Sequence, residues 1–420
     1  MTVQPTTRIV IIGAGYAGLI ATVRLAGKTR KQNVAITLVN MMDVFVERLR
    51  LHEMAANPTI PQKRIADILK GTGVTFVQGA VTSLDPQSHA ICVQTGSTTI
   101  RLAYDKLVYA LGSTIDRDGV PGVRENAYVL TPYGTNSVET LSKKLPKVNA
   151  ASGTLLICGG GATGIEAAAE FAEAFPKLHV QLVTQHGVGD FIKKPIADYM
   201  RQSLTRFNVN IMEHTRITEV QADKAITASG SAIRFDICLW TGGFSTLPLA
   251  REAGLTVNER GQILIDPYMR SISHPDVYAV GDSAYPLEDP GTPFRMSAFV
   301  AAISGAHAAD SLALSVRGQS PKPLSYAFYG QAIALGQRDA IAFSTYPDDK
   351  PKGPLLTGKV GHNLRGFFLR FFGVLPDLER RMPGALFWTG KGRYAAAKRR
   401  AERNNAIPVQ IHMIDKPETR

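Results

Sequence analysis

Cysteine is scarce in this 420-residue chain, which has only Cys92, Cys158 and Cys238. They stand far apart in apolar, strand-like runs, a placement that argues against a disulfide framework, a zinc site or a vicinal redox pair. It fits small buried hydrophobes in a reducing compartment. Long apolar runs are also missing. No stretch reaches the roughly 18–20 apolar residues of a spanning helix. The start, Arg8 followed by residues 9–26, imitates a secretion signal, but glycine spacing and helical periodicity explain it better, which points to the cytoplasm. With 45% hydrophobic and 20% charged residues the chain is ordinarily globular, and its length suits two or three domains.

What is plentiful is glycine placed directly after apolar strands. Residues 9–12 read as a parallel strand covered on both faces. Gly13, Gly15 and Gly18 follow as G-x-G-x-x-G, and residues 19–25 continue with helical spacing. The first glycine of such a motif permits a tight turn, the second lets a pyrophosphate reach the backbone, and the third lets helix and strand pack closely. The helix then presents unpaired N–H groups and its positive dipole end to the phosphates. The pattern recurs where residues 155–158 run into Gly159, Gly161 and Gly164. Two such units imply two dinucleotides and an α/β fold with two Rossmann-like dinucleotide-binding domains.

Neither unit has the acid expected at its ribose position, about twenty residues past the glycines. Asn40 stands there in the first unit, with Asp43 close by, and Gln185 in the second. Gln185 does not repel the 2′-phosphate of NADPH, and Lys193 and Lys194 either attract it or are simply solvated. NADH and NADPH therefore both stay open. Residues 45–53, too charged for a core helix, read either as a lid with Arg48 near phosphate or as a solvated loop. The runs 74–77, 80–84 and 90–93 predict a small antiparallel insertion. Residues 104–112 and 237–243 each predict a strand ending in a glycine turn, and 119–122 a domain crossing. Residues 277–281 end in Asp282, a carboxylate at the C-terminal end of a strand, where open α/β sheets bind ligands.

These motifs, in this order and spacing, resemble the pyridine nucleotide-disulfide oxidoreductase superfamily. Within it the chain is most similar to the type II NADH dehydrogenases, single-subunit NADH:quinone oxidoreductases. The likeness spans residues 8–314 and continues more loosely beyond. It implies an FAD domain split over 1–124 and 247–320, an NAD(P)H domain over 125–246, and a C-terminal α+β region over 321–420. By position, Gly13, Gly15, Tyr16, Ala17 and Gly18 would hold the FAD pyrophosphate, Asn40 the ribose and Val81 the adenine side. Arg48, Ala110, Leu111, Gly112, Gly281 and Asp282 would line the rest of FAD, while Ser297 and Ala298 would turn a helix N-terminus toward the flavin. Gly159, Gly161, Ala162, Thr163, Gly164 and Gln185 would hold NAD(P)H, with Thr241, Gly242 and Gly243 at its other end. Glu166 matches the family's glutamate beside the nicotinamide and flavin rings, and is the candidate catalytic residue. Its alternative role is a first-turn acid complementing the helix dipole. No metal and no paired cysteine are needed, which disfavours a disulfide reductase.

One departure concerns the acceptor. The family carries an Ala-Gln pair at the helix start near 297, whereas residues 295–300 here read Arg-Met-Ser-Ala-Phe-Val. A quinone or another small oxidant fits that pocket.

Charge supplies a second clue, because much of the net +12 lies near the C-terminus. Leu364, Phe367, Phe368, Phe371, Phe372 and Leu375 share a helical stripe, with Arg365 and Arg370 on the other side. Arg380, Arg381, Lys391, Arg393, Lys398, Arg399, Arg400 and Arg403 follow, and residues 402–420 read as a loose tail. Aromatics backed by arginines suit an anionic membrane surface, here its cytoplasmic face. The alternatives are packing on the flavin domain or on a second copy in a homodimer. No interleaved nucleic-acid motif accompanies the charge. The resulting expectation is an FAD-dependent oxidoreductase carrying electrons from NAD(P)H to a quinone-like acceptor at a membrane surface. Its rivals are a soluble reductase for a ferredoxin or small molecule, and a redox sensor that binds both cofactors without turnover.

Overall fold

Residues 6–190, 192–287, 294–326, 330–346 and 351–388 are described by a computed structural model. Two five-stranded sheets carry the chain. The first runs Val277–Ala279, Lys106–Tyr109, Thr7–Ile12, Val34–Asn40, Thr75–Gln78, and the second Tyr128–Val129, Ile237–Trp240, Thr154–Cys158, His179–Val183, Asn210–Met212. Every pairing in both is parallel. In each, the strand that leads into the glycine motif is central, its successor lies on one side and the glycine-turn strand on the other. Ile9, Ile11 and Ile12, like Leu155, Leu156 and Ile157, are fully buried. Helices cover both faces of such a sheet, which is why its strands are continuous apolar runs.

The small insertion differs from expectation. Ala80–Asp85, Ala90–Thr95 and Thr98–Ala103 form its antiparallel sheet, whereas Thr75–Gln78 is the edge strand of the first parallel sheet. A four-residue run carries no signal of which sheet it will join.

The helix Tyr16–Lys28 packs along Ala298–Val316. The latter, 19 residues with a mean hydropathy of 1.4 in its best window, is apolar and long enough to cross a membrane, which the sequence reading overlooked. Here it is a core helix: a Cβ on Gly305 would lie 2.2 Å from the carbonyl oxygen of Ala17. An antiparallel sheet of Gly330–Ala334, Ala340–Thr345 and Pro351–Leu356 then leads into the 24-residue helix Gly358–Arg381.

That helix divides its aromatic stripe. Phe372 and Leu375 are buried in the first core, while Phe367 and Phe368 are 56% and 42% exposed. Arg365, expected on the outer side, is buried. The basic residues 391–403 and the tail 402–420 lie outside the described residues. Farther along, Arg24 from Tyr16–Lys28 binds Asp310 with two bonds of 2.8 Å and the fully buried Glu379 at 3.0 Å. One guanidinium thus joins three helices.

Burial alone raises the Asp310 carboxyl, but hydrogen-bonded Arg24 and Lys28 outweigh it and hold it below its ordinary value. A carboxylate lowered in the fold stabilises above its unfolded pKa of about 4, and that stability is lost as pH falls through the folded value. Asp310→Asn should therefore cost about 2–4 kcal/mol at neutral pH, with the gap to wild type narrowing in acid. Urea unfolding from pH 7 down to the lowest pH at which wild type stays folded checks both size and sign.

Candidate functional site

The three glycines of each motif do three different things. A Cβ on Gly13, whose φ is +96°, would lie 2.4 Å from the Ala110 carbonyl oxygen, and one on Gly18 would lie 1.8 Å from that of Gly13. At Gly15 a Cβ would meet nothing within 4 Å. The second motif repeats this: a Cβ on Gly164 would lie 1.9 Å from the Gly159 carbonyl oxygen, and the side of Gly161 is open. Gly15 and Gly161 are also the N-caps of Tyr16–Lys28 and Ala162–Ala174, without a side-chain cap or a first-turn acid. Each helix therefore opens on unpaired N–H groups beside bare backbone, which is a cradle for an anion. Ala17 stands at its first turn, and Ala162 and Thr163 begin the equivalent turn in the second unit.

Around the first cradle, Asn40 accepts a 2.9 Å bond from the Ala14 N–H and donates a 2.8 Å bond to the Met42 carbonyl. Both ends of its amide are committed to shaping the loop, so it bolts the cradle to the strand end. Asp43 instead faces Arg64 at 3.4 Å. Val81 packs at the edge of the first core.

Asp282 follows the strand Val277–Ala279 and accepts a 2.6 Å bond from the Ser113 hydroxyl. Burial pushes its carboxyl up, against the Ser113 bond and the charge of Arg48. Arg48 donates to the Ser113 carbonyl at 2.6 Å, and the Ser283 hydroxyl to the Gly112 carbonyl at 3.1 Å. The Gly281 N–H reaches the Ser304 hydroxyl at 2.9 Å, tying this turn to Ala298–Val316. Arg48, Gly112, Gly281 and Asp282 are thus brought together, next to the turn of Ala110 and Leu111. Ser297 caps that long helix by accepting the Val300 N–H at 3.3 Å, and Ala298 is buried. Sequence reasoning missed Ser113, Ser283 and Ser304. For Ser113 and Ser283 the signal was adjacency, since each directly follows a residue already picked.

The segment 45–53 is not a solvated loop. Its second half belongs to a helix, Leu51–Ala56, with Leu51, His52 and Met54 buried. Its charges are compatible with burial because Arg50 and Glu53 bond at 2.8 Å.

In the second unit, Thr241 donates to the Cys158 carbonyl at 3.0 Å and closes the turn against Gly159. Trp240 donates to Gly242 at 2.8 Å, and Gly243 adopts φ +73°. Gln185 is exposed at its strand end. Glu166 is no lone dipole-complementing acid: its Oε1 accepts the Ala334 N–H at 2.9 Å and lies 3.3 Å from Arg365. Its Oε2 has no protein partner among the described residues. Arg365 reaches Glu53 at 2.8 Å as well. Neither partner was foreseen.

Two cysteines also come together against expectation. Cys158 and Cys238, on neighbouring strands, have sulfurs 3.9 Å apart. The Cys238 contact and burial both push the Cys158 thiol well up, so it stays protonated and unreactive.

The profile of the pyridine nucleotide-disulphide oxidoreductase family matches residues 7–307. An alternative NAD(P)H-ubiquinone oxidoreductase of Arabidopsis thaliana is 25% identical over 428 residues, covering 91% of this chain and 80% of that protein. A type II NADH:quinone oxidoreductase of Staphylococcus epidermidis is 24% identical, covering 80% of this chain and 90% of its own. The solved structure of NDH2 from Plasmodium falciparum in complex with NADH superposes with a TM-score of 0.73 at 14% identity, over 92% of this chain and 100% of that one.

The two kinds of glycine can be told apart. Gly15→Ala meets no atom of the chain, so it should leave the melting temperature nearly unchanged while weakening dinucleotide binding about tenfold or more. Gly18→Ala overpacks the turn and should cost about 1–3 kcal/mol of stability. Thermal melts alongside cofactor-release titrations of both variants make the comparison.

Proposed function

The chain belongs to the pyridine nucleotide-disulphide oxidoreductase family and is an FAD-dependent NAD(P)H dehydrogenase, and we propose that its acceptor is quinone-like and is met at a membrane surface. In this reading segments 1–124 and 247–320 hold FAD and 125–246 hold NAD(P)H. When bound, FAD takes hydride from NAD(P)H and passes two electrons on.

The chain's own residues supply binding and electrostatics. The open amides beside Gly15 and Gly161 neutralise the two pyrophosphates. Asp282, oriented by Ser113, accepts from a sugar-alcohol hydroxyl. The N-terminus at Ser297 would favour negative charge on a flavin ring held in front of it. Glu166 offers Oε2 to the nicotinamide side.

The observation that supports an apolar acceptor is a run of aromatic rings. Tyr16, the first residue of the FAD-side helix, packs edge-on against Phe372 at 5.8 Å, and Phe372 touches Phe299 at 6.4 Å and Phe371 at 5.6 Å. One helical turn away, Phe367 and Phe368 pair at 5.7 Å on the surface. Val360 and Val374 are exposed on the same helix, with Lys359, Arg370 and Arg381 beside them. An apolar strip flanked by cations favours an anionic bilayer, here from its cytoplasmic side. The missing glutamine near 298 leaves Phe299 and Val300, which extends the apolar path.

Purified protein should be yellow, lose its colour with NADH or NADPH, and regain it with a soluble quinone. Recovery only with an iron–sulfur protein would replace the acceptor. Because Gly361 is buried within the C-terminal helix, the surface is better tested by point changes than by truncation. Phe367→Ser with Phe368→Ser should weaken sedimentation with anionic vesicles roughly tenfold or more per ring, and leave turnover with soluble quinone unchanged.

A further inference from the structure

A hydride crosses between rings only when the reacting atoms lie about 3–3.5 Å apart, and a misplacement of about 1 Å can cost roughly a hundredfold in rate. On the proposed reading each ring belongs to a different half of the molecule, so whatever fixes one half against the other governs the chemical step. One side chain touches both. The Arg365 guanidinium donates from Nη1 to Glu53 at 2.8 Å, on the helix that leaves the first half. Its Nη2 lies 3.3 Å from Glu166, at the start of the NAD(P)H-side helix. We infer that Arg365 is a positioning residue that sets the NAD(P)H-binding half against the FAD-binding half.

The rest of its helix gives it a firm base. A Cβ on Gly361 would lie 2.2 Å from the Ala340 carbonyl oxygen, so the helix sits on its sheet without slack. Farther along, Lys63 binds the Gly373 carbonyl at 2.9 Å and Asp377 at 2.8 Å, Arg380 binds the Lys70 carbonyl at 2.9 Å, and Glu379 holds Arg24. All of these are ties to the first half. Arg50 also binds Glu53, at 2.8 Å, while His52, whose pKa burial lowers, stays neutral 3.5 Å from Arg365. A fork of N–H donors can serve two separate carboxylates, whereas a lysine ammonium is a point charge. Leu51, Met54 and Ala55 pack in the second core, so the halves stay attached when the guanidinium is removed. What goes is the definition of their angle.

The test uses the holoenzyme of wild type, Arg365→Met, Arg365→Lys and Glu53→Gln. Rapid mixing with NADH gives the limiting rate of flavin bleaching and the dissociation constant, and amide exchange over residues 51–56 and 330–334 is read without coenzyme. Arg365→Met should slow the limiting rate at least about tenfold, with flavin content unchanged and NADH affinity within about threefold. Arg365→Lys should recover little of that rate. Exchange should quicken in both segments, because Ala334 donates to the carboxylate that Arg365 holds. A limiting rate within about twofold of wild type overturns the inference, as does a loss that parallels lost flavin or lost NADH affinity. Should Arg365→Met fail to fold, Glu53→Gln removes the charge of the first-half carboxylate, which Arg50 shares, while leaving the Glu166 arm in place, and must show the same split between rate and affinity. A wild type that binds no flavin, or is bleached by neither coenzyme, instead sinks the proposed function.

Discussion

Where Tyr16–Lys28 leaves its strand, a methyl group on residue 18 would stand 1.8 Å from the Gly13 carbonyl oxygen, and one on residue 164 would stand 1.9 Å from that of Gly159. This close approach of helix to turn sets the geometry of both halves. It aims the first turn of each helix across the C-terminal edge of a parallel sheet, and it leaves those N–H groups without a cap. Orphan donors at a helix end need a partner, and an anion satisfies them best. The other binding groups gather on the same edge for the same reason. Gly112, Thr241 and Gly243 follow strands that lie beside a motif strand, and Asp282 follows the next strand out.

This constraint also explains what could be read from the sequence. A glycine requirement is local, imposed by backbone a few residues away, so the motif carries its own explanation. Strands covered on both faces are continuous apolar runs and equally legible. Longer-range facts were hidden. Nothing near Cys158 announces that Cys238 occupies the adjacent strand, eighty positions on. Thr75–Gln78 offers four residues and no hint of its partner. Asn40 was expected at the ribose, but an amide has two ends, and only the fold reveals that Ala14 and Met42 bond to both.

The C-terminal helix shows a subtler failure. The spacing was read as setting Arg365 opposite the aromatic stripe, but seven residues turn a helix to within about 20°, so Arg365 shares the buried face of Phe372. The inference that this arginine must meet solvent was wrong as well, because Glu53 and Glu166 wait on that buried side. Helical periodicity separates two faces without saying what covers each of them.

That arrangement gives the buried charges a role beyond adhesion. Apolar packing alone would tolerate a helix turned by one residue, about 100°, since Phe367, Phe368, Phe371 and Phe372 are interchangeable as core filler. Such a turn would expose Phe372 and carry Arg365 away from both carboxylates. It would also strand Glu379, fully buried against Arg24, without its cation. Unpaired buried charges cost far more than a misplaced phenylalanine. The two arginine clusters, near opposite ends of the helix, therefore decide which aromatics fill the core and which face outward. The surface strip and the contact with Glu166 lie on one rigid body, so the face offered to an acceptor and the placement of the coenzyme half are fixed together.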